Sequence, residues 1–378
     1  MPGTGSYINQ TALDNFNNVW IVGRDVSKLD GTVLTYYNYT NSSVPSNNPY
    51  YMDTRSISID ENQTKWVGCA YTASLGTPLI FTLEGPYAAT GENWSALEVI
   101  GSTGQSVDVP TIYASPFGEE VLAFVSPLNG GYGTGPIGVY GTTGGSLYVY
   151  NKIFRTWTEP APGFTWPHIY DIEAKGILGS TYEYYLATPF GIYIIPDGRL
   201  KVSYYEGGDS YIDQATIWNS SNTSLPSDVV YSLDFDEAGN LWIGTDSGLV
   251  YWDQNKFYVW NSSNLTGLLS NEIMFVKSRP NGHVFFTAGN PSKGEGTGLY
   301  YFNGDTLINY NTLNSSLPSD DVFSVMVAQN KTTSFGVTTY PNDVYLSSGN
   351  SIGLFDYTIP HVYATSKYAG TTGWNFVY

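Results

Sequence analysis

A group of four short apolar stretches, each closed by turn-forming residues, recurs along this chain and limits its fold more than any other feature. The clearest copy begins at Leu225-Pro226-Ser227-Asp228. It continues through an apolar run at 229–236, a turn at Glu237-Ala238-Gly239-Asn240, a second run at Leu241-Trp242-Ile243-Gly244-Thr245, a third at 248–253 and a fourth at Phe257-Tyr258-Val259-Trp260. Runs of four to eight residues rich in aromatic and β-branched side chains, bounded by Gly, Asn, Asp or Pro, read as β-strands. The second run recurs around Trp20, Trp66, Leu122, Tyr185, Trp242, Phe285 and Tyr345, at spacings of 46, 56, 63, 57, 43 and 60 residues. Repeats of that length with four strands each are the signature of a propeller, whereas solenoid repeats are shorter or hold fewer strands. The spacing therefore predicts an all-β chain forming a single seven-bladed β-propeller of four-stranded antiparallel blades. The blades fall at about 6–50, 51–108, 109–166, 167–227, 228–271, 272–320 and 321–378. One such sheet exposes two apolar faces, and a closed ring buries both against neighbours. Trp66 and Trp242 are then core wedges, and Gly244 leaves room for a bulky neighbour.

Composition agrees with this and removes several function classes. Of 378 residues, 16% are aromatic and 13% charged, about half the usual charged fraction. The formal charge of −18 and the lack of a Lys/Arg cluster argue against nucleic acid and against docking on anionic lipid. No apolar stretch approaches the ~18 residues of a membrane span, so no membrane insertion is expected, and Met1-Pro2-Gly3-Thr4-Gly5-Ser6 does not read as a signal peptide. Cys69 is the single cysteine, read as a small buried hydrophobe. Eleven Asn-x-Ser/Thr matches, among them Asn38, Asn41, Asn219, Asn222, Asn261 and Asn264, are read as composition first and glycan acceptors second.

Residues 225–250 resemble the two-component-regulator propeller repeat: Leu225-Pro226-Ser227-Asp228, Ser232-Leu233, Asp236, then Gly239-Asn240-Leu241-Trp242-Ile243-Gly244-Thr245 and Gly248-Leu249. The other blades match in part, the third least. The resemblance implies the propeller fold. It also implies a link to periplasmic propellers of hybrid histidine kinases that sense glycans, and similar repeats occur in stand-alone surface and phage virion proteins.

In a propeller the fourth-to-first and second-to-third strand loops share one face, and these are the long loops here. They include 70–78, the Gly-rich 127–145, 164–168 and 290–298. Tyr and Trp among Gly, Ser and Asn suit sugar or protein contact, so the candidate ligand or partner residues are Tyr71, Tyr132, Tyr140, Phe164 and Trp166. Trp374 and Tyr378 join them from the alternating C-terminal segment, which reads as a final outer strand or as a strand that adds to a partner. The pairs Asp234/Asp236, Asp60/Glu61 and Glu119/Glu120 sit at hairpin turns, where Asp caps backbone. The calcium-like run at 234–239 lacks its remaining ligands. His168, His283 and His361 have no zinc spacing, so neither metal nor cofactor is expected. Two carboxylates converging in a channel would make a glycosidase.

The expected function is a non-catalytic structural or adhesion propeller on a virus particle (tail- or capsid-associated) or cell surface. Its partners are other structural proteins of an assembly, or a surface glycan. The alternatives are a periplasmic glycan-sensing domain of a hybrid two-component receptor and a carbohydrate-active propeller enzyme.

Overall fold

The computed structural model describes residues 8–23, 25–30, 33–37, 42, 53–70, 80–84, 94–97, 107–116, 120–127, 144–159, 165–176, 182–196, 216–279, 281–327, 332–334, 337–339, 343–348, 351–356 and 374–377. Seven four-stranded antiparallel sheets follow one another along the chain, the first six each a meander of consecutive strands. The first strands are Ile8–Leu13, Thr54–Ile59, Val107–Ala114, Asp171–Gly176, Val230–Phe235, Ile273–Ser278 and Val322–Val327. The second strands are Val19–Gly23, Lys65–Cys69, Glu120–Pro127, Tyr182–Thr188, Leu241–Thr245, Val284–Ala288 and Asp343–Ser348. All seven anchors read from the sequence lie on these second strands. In the last blade a small hairpin, Thr332–Ser334 with Val337–Thr339, is inserted between the first two strands.

The seven apolar clusters coincide with the seven seams between blades. Trp20 packs with Ile57 and Val67 of blade 2, Trp66 with Val109 and Ile112 of blade 3, and Leu122 with Ile172 of blade 4. Tyr185 packs with Leu233 of blade 5, Trp242 with Ile273 of blade 6, and Phe285 with Val325 of blade 7. Tyr345 then meets Val19 and Leu29 of blade 1, which closes the ring. Each anchor thus faces the following blade, as a wedge between two sheets must. Close approach explains the glycine two residues after Trp66 and Trp242. A Cβ on Gly244 would lie 2.6 Å from the Ile273 carbonyl oxygen, and one on Gly68 would lie 2.5 Å from Ser56 Oγ.

Every blade is one uninterrupted piece of chain. The C-terminal strand Trp374–Val377 pairs with Ser351–Asp356 of its own blade, and Ile8–Leu13 pairs with Val19–Gly23. The ring therefore closes by side chains and not by exchange of a strand. At the inner end of the closing seam, Thr11 Oγ1 and Ser324 Oγ share a hydrogen bond of 2.6 Å.

The inner hairpins are held by aspartates. Asp60 Oδ1 accepts from the backbone N–H of Asn62 and Thr64, at 3.0 and 2.9 Å. Its Oδ2 accepts from Trp66 Nε1 at 3.1 Å. Asp14 repeats the arrangement with Phe16, Asn18 and Trp20, and Asp236 with Ala238 and Asn240. These carboxylates cap turns, as their position implies. Asp60→Ala orphans two amides and an indole N–H, and is expected to cost about 2 kcal/mol, read as a lower urea midpoint with unchanged slope.

The linkers between blades are held by asparagines. Asn219, Asn261 and Asn311 each donate a backbone N–H to the side-chain oxygen of the asparagine three residues on, at 3.0, 2.8 and 2.8 Å. Those asparagines, Asn222, Asn264 and Asn314, donate Nδ2 to the carbonyls of Ile217, Val259 and Asn309. The nitrogen a glycan would occupy is engaged at these three acceptor motifs.

Candidate functional site

The residue opposite each anchor on the first strand defines one ring around the axis. In register these are Ala12, Ser58, Tyr113, Glu173, Asp234, Lys277 and Met326. Three blades contribute small or apolar side chains, and blades 3 to 6 contribute Tyr, Glu, Asp and Lys. Such first strands are inner sheet edges, whose unpaired amides need partners. The preceding blade supplies them. The N–H groups of Ile57, Ala114, Ala174, Leu233 and Ser278 donate to Gln10 Oε1, Ser58 Oγ, Tyr113 OH, Asp171 Oδ2 and Asp234 Oδ2, at 2.8, 2.9, 3.1, 2.9 and 2.6 Å.

The charged arc is held by Lys277. Its ammonium bonds Asp234 Oδ1 and lies 3.4 Å from Glu173 Oε1. Asp234 Oδ2 also accepts from Ser278 Oγ at 2.5 Å. Asp171 accepts from Ile172 N–H on one oxygen and from Ser232 Oγ and Leu233 N–H on the other. Glu173 differs: Oε2 takes no hydrogen bond from the described residues. The side chains of Lys277 and Glu173 remain 30% and 19% exposed, because they face a cavity. One cavity of about 330 Å³ lies along the axis, lined by Gln10, Thr11, Ser58, Asp171, Tyr231 and Lys277 among others. A second, about 490 Å³, lies toward the first hairpin turns and is lined by Tyr113, Glu173, Lys175, Asp234, Lys277 and Arg279 among others.

Burial dominates the electrostatics here. Burial, reinforced by the charges of Asp234 and Asp171, outweighs the pull of Lys277 and raises Glu173 to about 8. Burial raises Asp171 to about 6 against the Leu233 amide and Lys277. Burial alone would lower Lys277, but Asp234, Glu173 and Asp171 hold its pKa above the ordinary lysine value. Elsewhere, burial raises Asp108 to about 6 against Arg55, and lowers His168 to about 4.

The signs give a pH prediction. A carboxyl whose pKa rises on folding favours the native state below its unfolded pKa, and that contribution is lost as pH climbs through the folded value. Asp108 and Asp171 complete this loss near pH 6. His168 acts in reverse, weakening the fold as pH falls from 6.5 toward 4. Glu173, raised to about 8, loses its contribution across pH 6 to 8.5. Thermal midpoints should fall across that window in the wild type and stay flat in Glu173→Gln.

Tyr71, Tyr132, Tyr140, Phe164 and Tyr378 lie outside the described residues, as does His361. Trp374 lies in the outermost strand of blade 7. Trp166 is a correction: it is 2% exposed and sits in the cluster between blades 3 and 4 against Tyr193. Its backbone bridges Gly145, which joins this segment to the core between blades 3 and 4. Glu120 is buried and accepts from Tyr182 and Tyr184 hydroxyls. The blade 6 loop at 289–298 is built on Asn290, whose Nδ2 donates to Glu272 Oε1 at 3.1 Å. Among the described residues no group of three or more His, Cys, Asp and Glu could hold a metal ion, and no helix is long and apolar enough to cross a membrane. Sequence reasoning missed Glu173 and Lys277; the signal was one register step away, opposite Tyr185 and Phe285.

Comparison with known proteins supports the architecture. The chain superposes on the GH74 enzyme of Niastella koreensis with a TM-score of 0.59 at 12% identity, covering 98% of this chain and 54% of that one. Virginiamycin B lyase from Staphylococcus aureus gives 0.56 at 9% identity, covering 92% and 93%. The extracellular domain of the one component system protein BT4673 from B. thetaiotaomicron gives 0.52 at 12% identity, covering 92% and 46%. This chain therefore spans about half the length of the first and third of these. At such identities the likeness establishes the propeller and nothing of its chemistry. No curated protein matches the sequence. The model of the two component regulator propeller matches residues 224–247, the copy that stood out in the sequence. The chain is a seven-bladed β-propeller whose fifth blade carries a two component regulator propeller repeat.

Proposed function

We propose that this propeller is a non-catalytic binding scaffold displayed on an outer surface, that of a virus particle or a cell, where it engages a glycan or a structural protein through its long-loop face. One observation carries the reading. Two of the axial acids hold blades together: both oxygens of Asp171 and of Asp234 accept internal hydrogen bonds. Retaining or inverting glycoside hydrolysis needs two carboxyl groups that both face the substrate, and among the described residues Glu173 is the one of these three axial acids with an oxygen to offer. The extracellular origin of the B. thetaiotaomicron domain agrees with display outside the cytoplasm.

The test pairs binding with turnover. The full chain is immobilised and exposed to a glycan microarray, and crosslinked to its native source material for mass spectrometry. Saturable binding or a fixed-stoichiometry crosslink, with no new reducing ends or cleaved product, is expected. Catalytic release of product from any bound glycan would overturn the reading. A second reading, a glycan-sensing domain of a hybrid two-component receptor, is favoured by the repeat at 224–247. A parent transcript encoding a membrane helix and a kinase would select it.

A further inference from the structure

The cavity at the first-hairpin end of the axis has unused hydrogen-bonding capacity, most of it in donors. Its aspartates are filled. Asp234 accepts from Lys277, Ser278 N–H and Ser278 Oγ. Asp236 accepts from Ala238 N–H, Asn240 N–H and Asn240 Nδ2, and from Tyr251 OH at 3.4 Å. Donors remain. Tyr113 OH accepts from Ala174 N–H and still has its own proton to give. Lys277 has three N–H groups and two partners. Glu173, in its neutral form, becomes a third donor. These three side chains come from blades 3, 6 and 4 and line one space of about 490 Å³, a volume suited to a small ligand. Exposed Glu237 and half-exposed Gly239 line the same cavity and mark its solvent side.

We propose that this cavity binds a small organic carboxylate, its two oxygens accepting hydrogen bonds from Lys277 and Tyr113. A cationic ligand is disfavoured because Lys277 lines the cavity and the aspartates beside it are already filled. The charged and titratable groups around Glu173 are Asp171 and Lys175 on its own strand, Asp234, Asp236 and Glu237 from the first hairpin of blade 5, Lys277 and Arg279 from blade 6 and Tyr113 from blade 3. A ligand carboxylate adds one more negative charge to this set. It therefore binds with Glu173 protonated, and affinity falls as pH rises through about 8.

The site is independent of the long-loop face, so its failure leaves the surface-binding reading untouched. Isothermal titration of the full chain with glucuronate, succinate and glucose tests it. Glucuronate binding with glucose silent places the carboxylate on an acidic sugar, and succinate binding places it on a simple aliphatic acid. Either result supports the site if Tyr113→Phe weakens binding about tenfold, the loss of one hydrogen bond to a charged group. Glu173→Gln, which stays neutral at every pH, should bind at pH 9 as the wild type binds at pH 6.5. Three results overturn the proposal: no heat from either acid at millimolar concentration, equal affinity for glucose, or wild-type affinity that does not change between pH 6.5 and 9. Thermal melts of both variants confirm that the ring is intact.

Discussion

Replacing Trp20 by alanine will lower the unfolding free energy by about 4 kcal/mol, the range for removing a large buried aromatic side chain. Trp20 is 1% exposed and fills the seam between blades 1 and 2. Its ring stacks on Tyr37 at 5.7 Å and meets Trp94 edge-on at 6.5 Å. The ammonium of Lys65 lies 4.9 Å from its ring centroid. Alanine opens a cavity bounded by two sheets, which are too stiff to collapse into it. It also removes the aromatic face over which the buried Lys65 ammonium sits. Trp20→Phe keeps most of the packing and gives up the 3.0 Å bond from Nε1 to Asp14, so its cost should be about 1–2 kcal/mol. Chemical denaturation of both variants checks this. A loss below about 1 kcal/mol for the alanine variant would mean that the blade seams do not carry the stability of the ring.

The second large effect is a gain. Thr11→Cys with Ser324→Cys, oxidised, should raise stability by up to about 5 kcal/mol, because the bridge would close a loop of more than three hundred residues in the unfolded chain. The geometry favours it: the two hydroxyl oxygens are 2.6 Å apart on first strands of adjacent blades, at a separation of 313 positions. This is the seam that joins the two ends of the repeat array, and among the described residues its apolar cluster holds five buried side chains, against twelve between blades 3 and 4. Melting curves with and without reductant give the answer. If the oxidised protein melts no higher than the reduced one, blades 1 and 7 are not held in this register.

The blades were legible in the sequence because the same physics acts seven times. Trp20, Trp66 and Trp242 recur with a turn aspartate six residues before each, so the bulky wedge and its capped hairpin announce themselves together. Leu122, Tyr185, Phe285 and Tyr345 lack the indole and still lie on second strands, since what a seam requires is apolar volume and not a particular ring. The axial cluster was not legible. Glu173 and Lys277 sit 104 positions apart, and each alone reads as a solvated charge in a strand of alternating pattern. Only closure of the ring brings them to one side of the axis. Trp166 misled for the opposite reason: its neighbours Pro167 and His168 read as a loop, yet the bridge to Gly145 turns that loop into a continuation of the core.

Because no strand is traded between the first and last blades, each sheet can complete its own hydrogen-bond ladders as soon as it leaves the ribosome. What it lacks at that moment is the cover its downstream neighbour will provide. Synthesis then leaves one greasy face bare at the growing end and another at the starting end until the seventh blade emerges. The interval before that final docking is when the nascent chain is most open to capture by a chaperone, or to pairing with a second copy in place of itself.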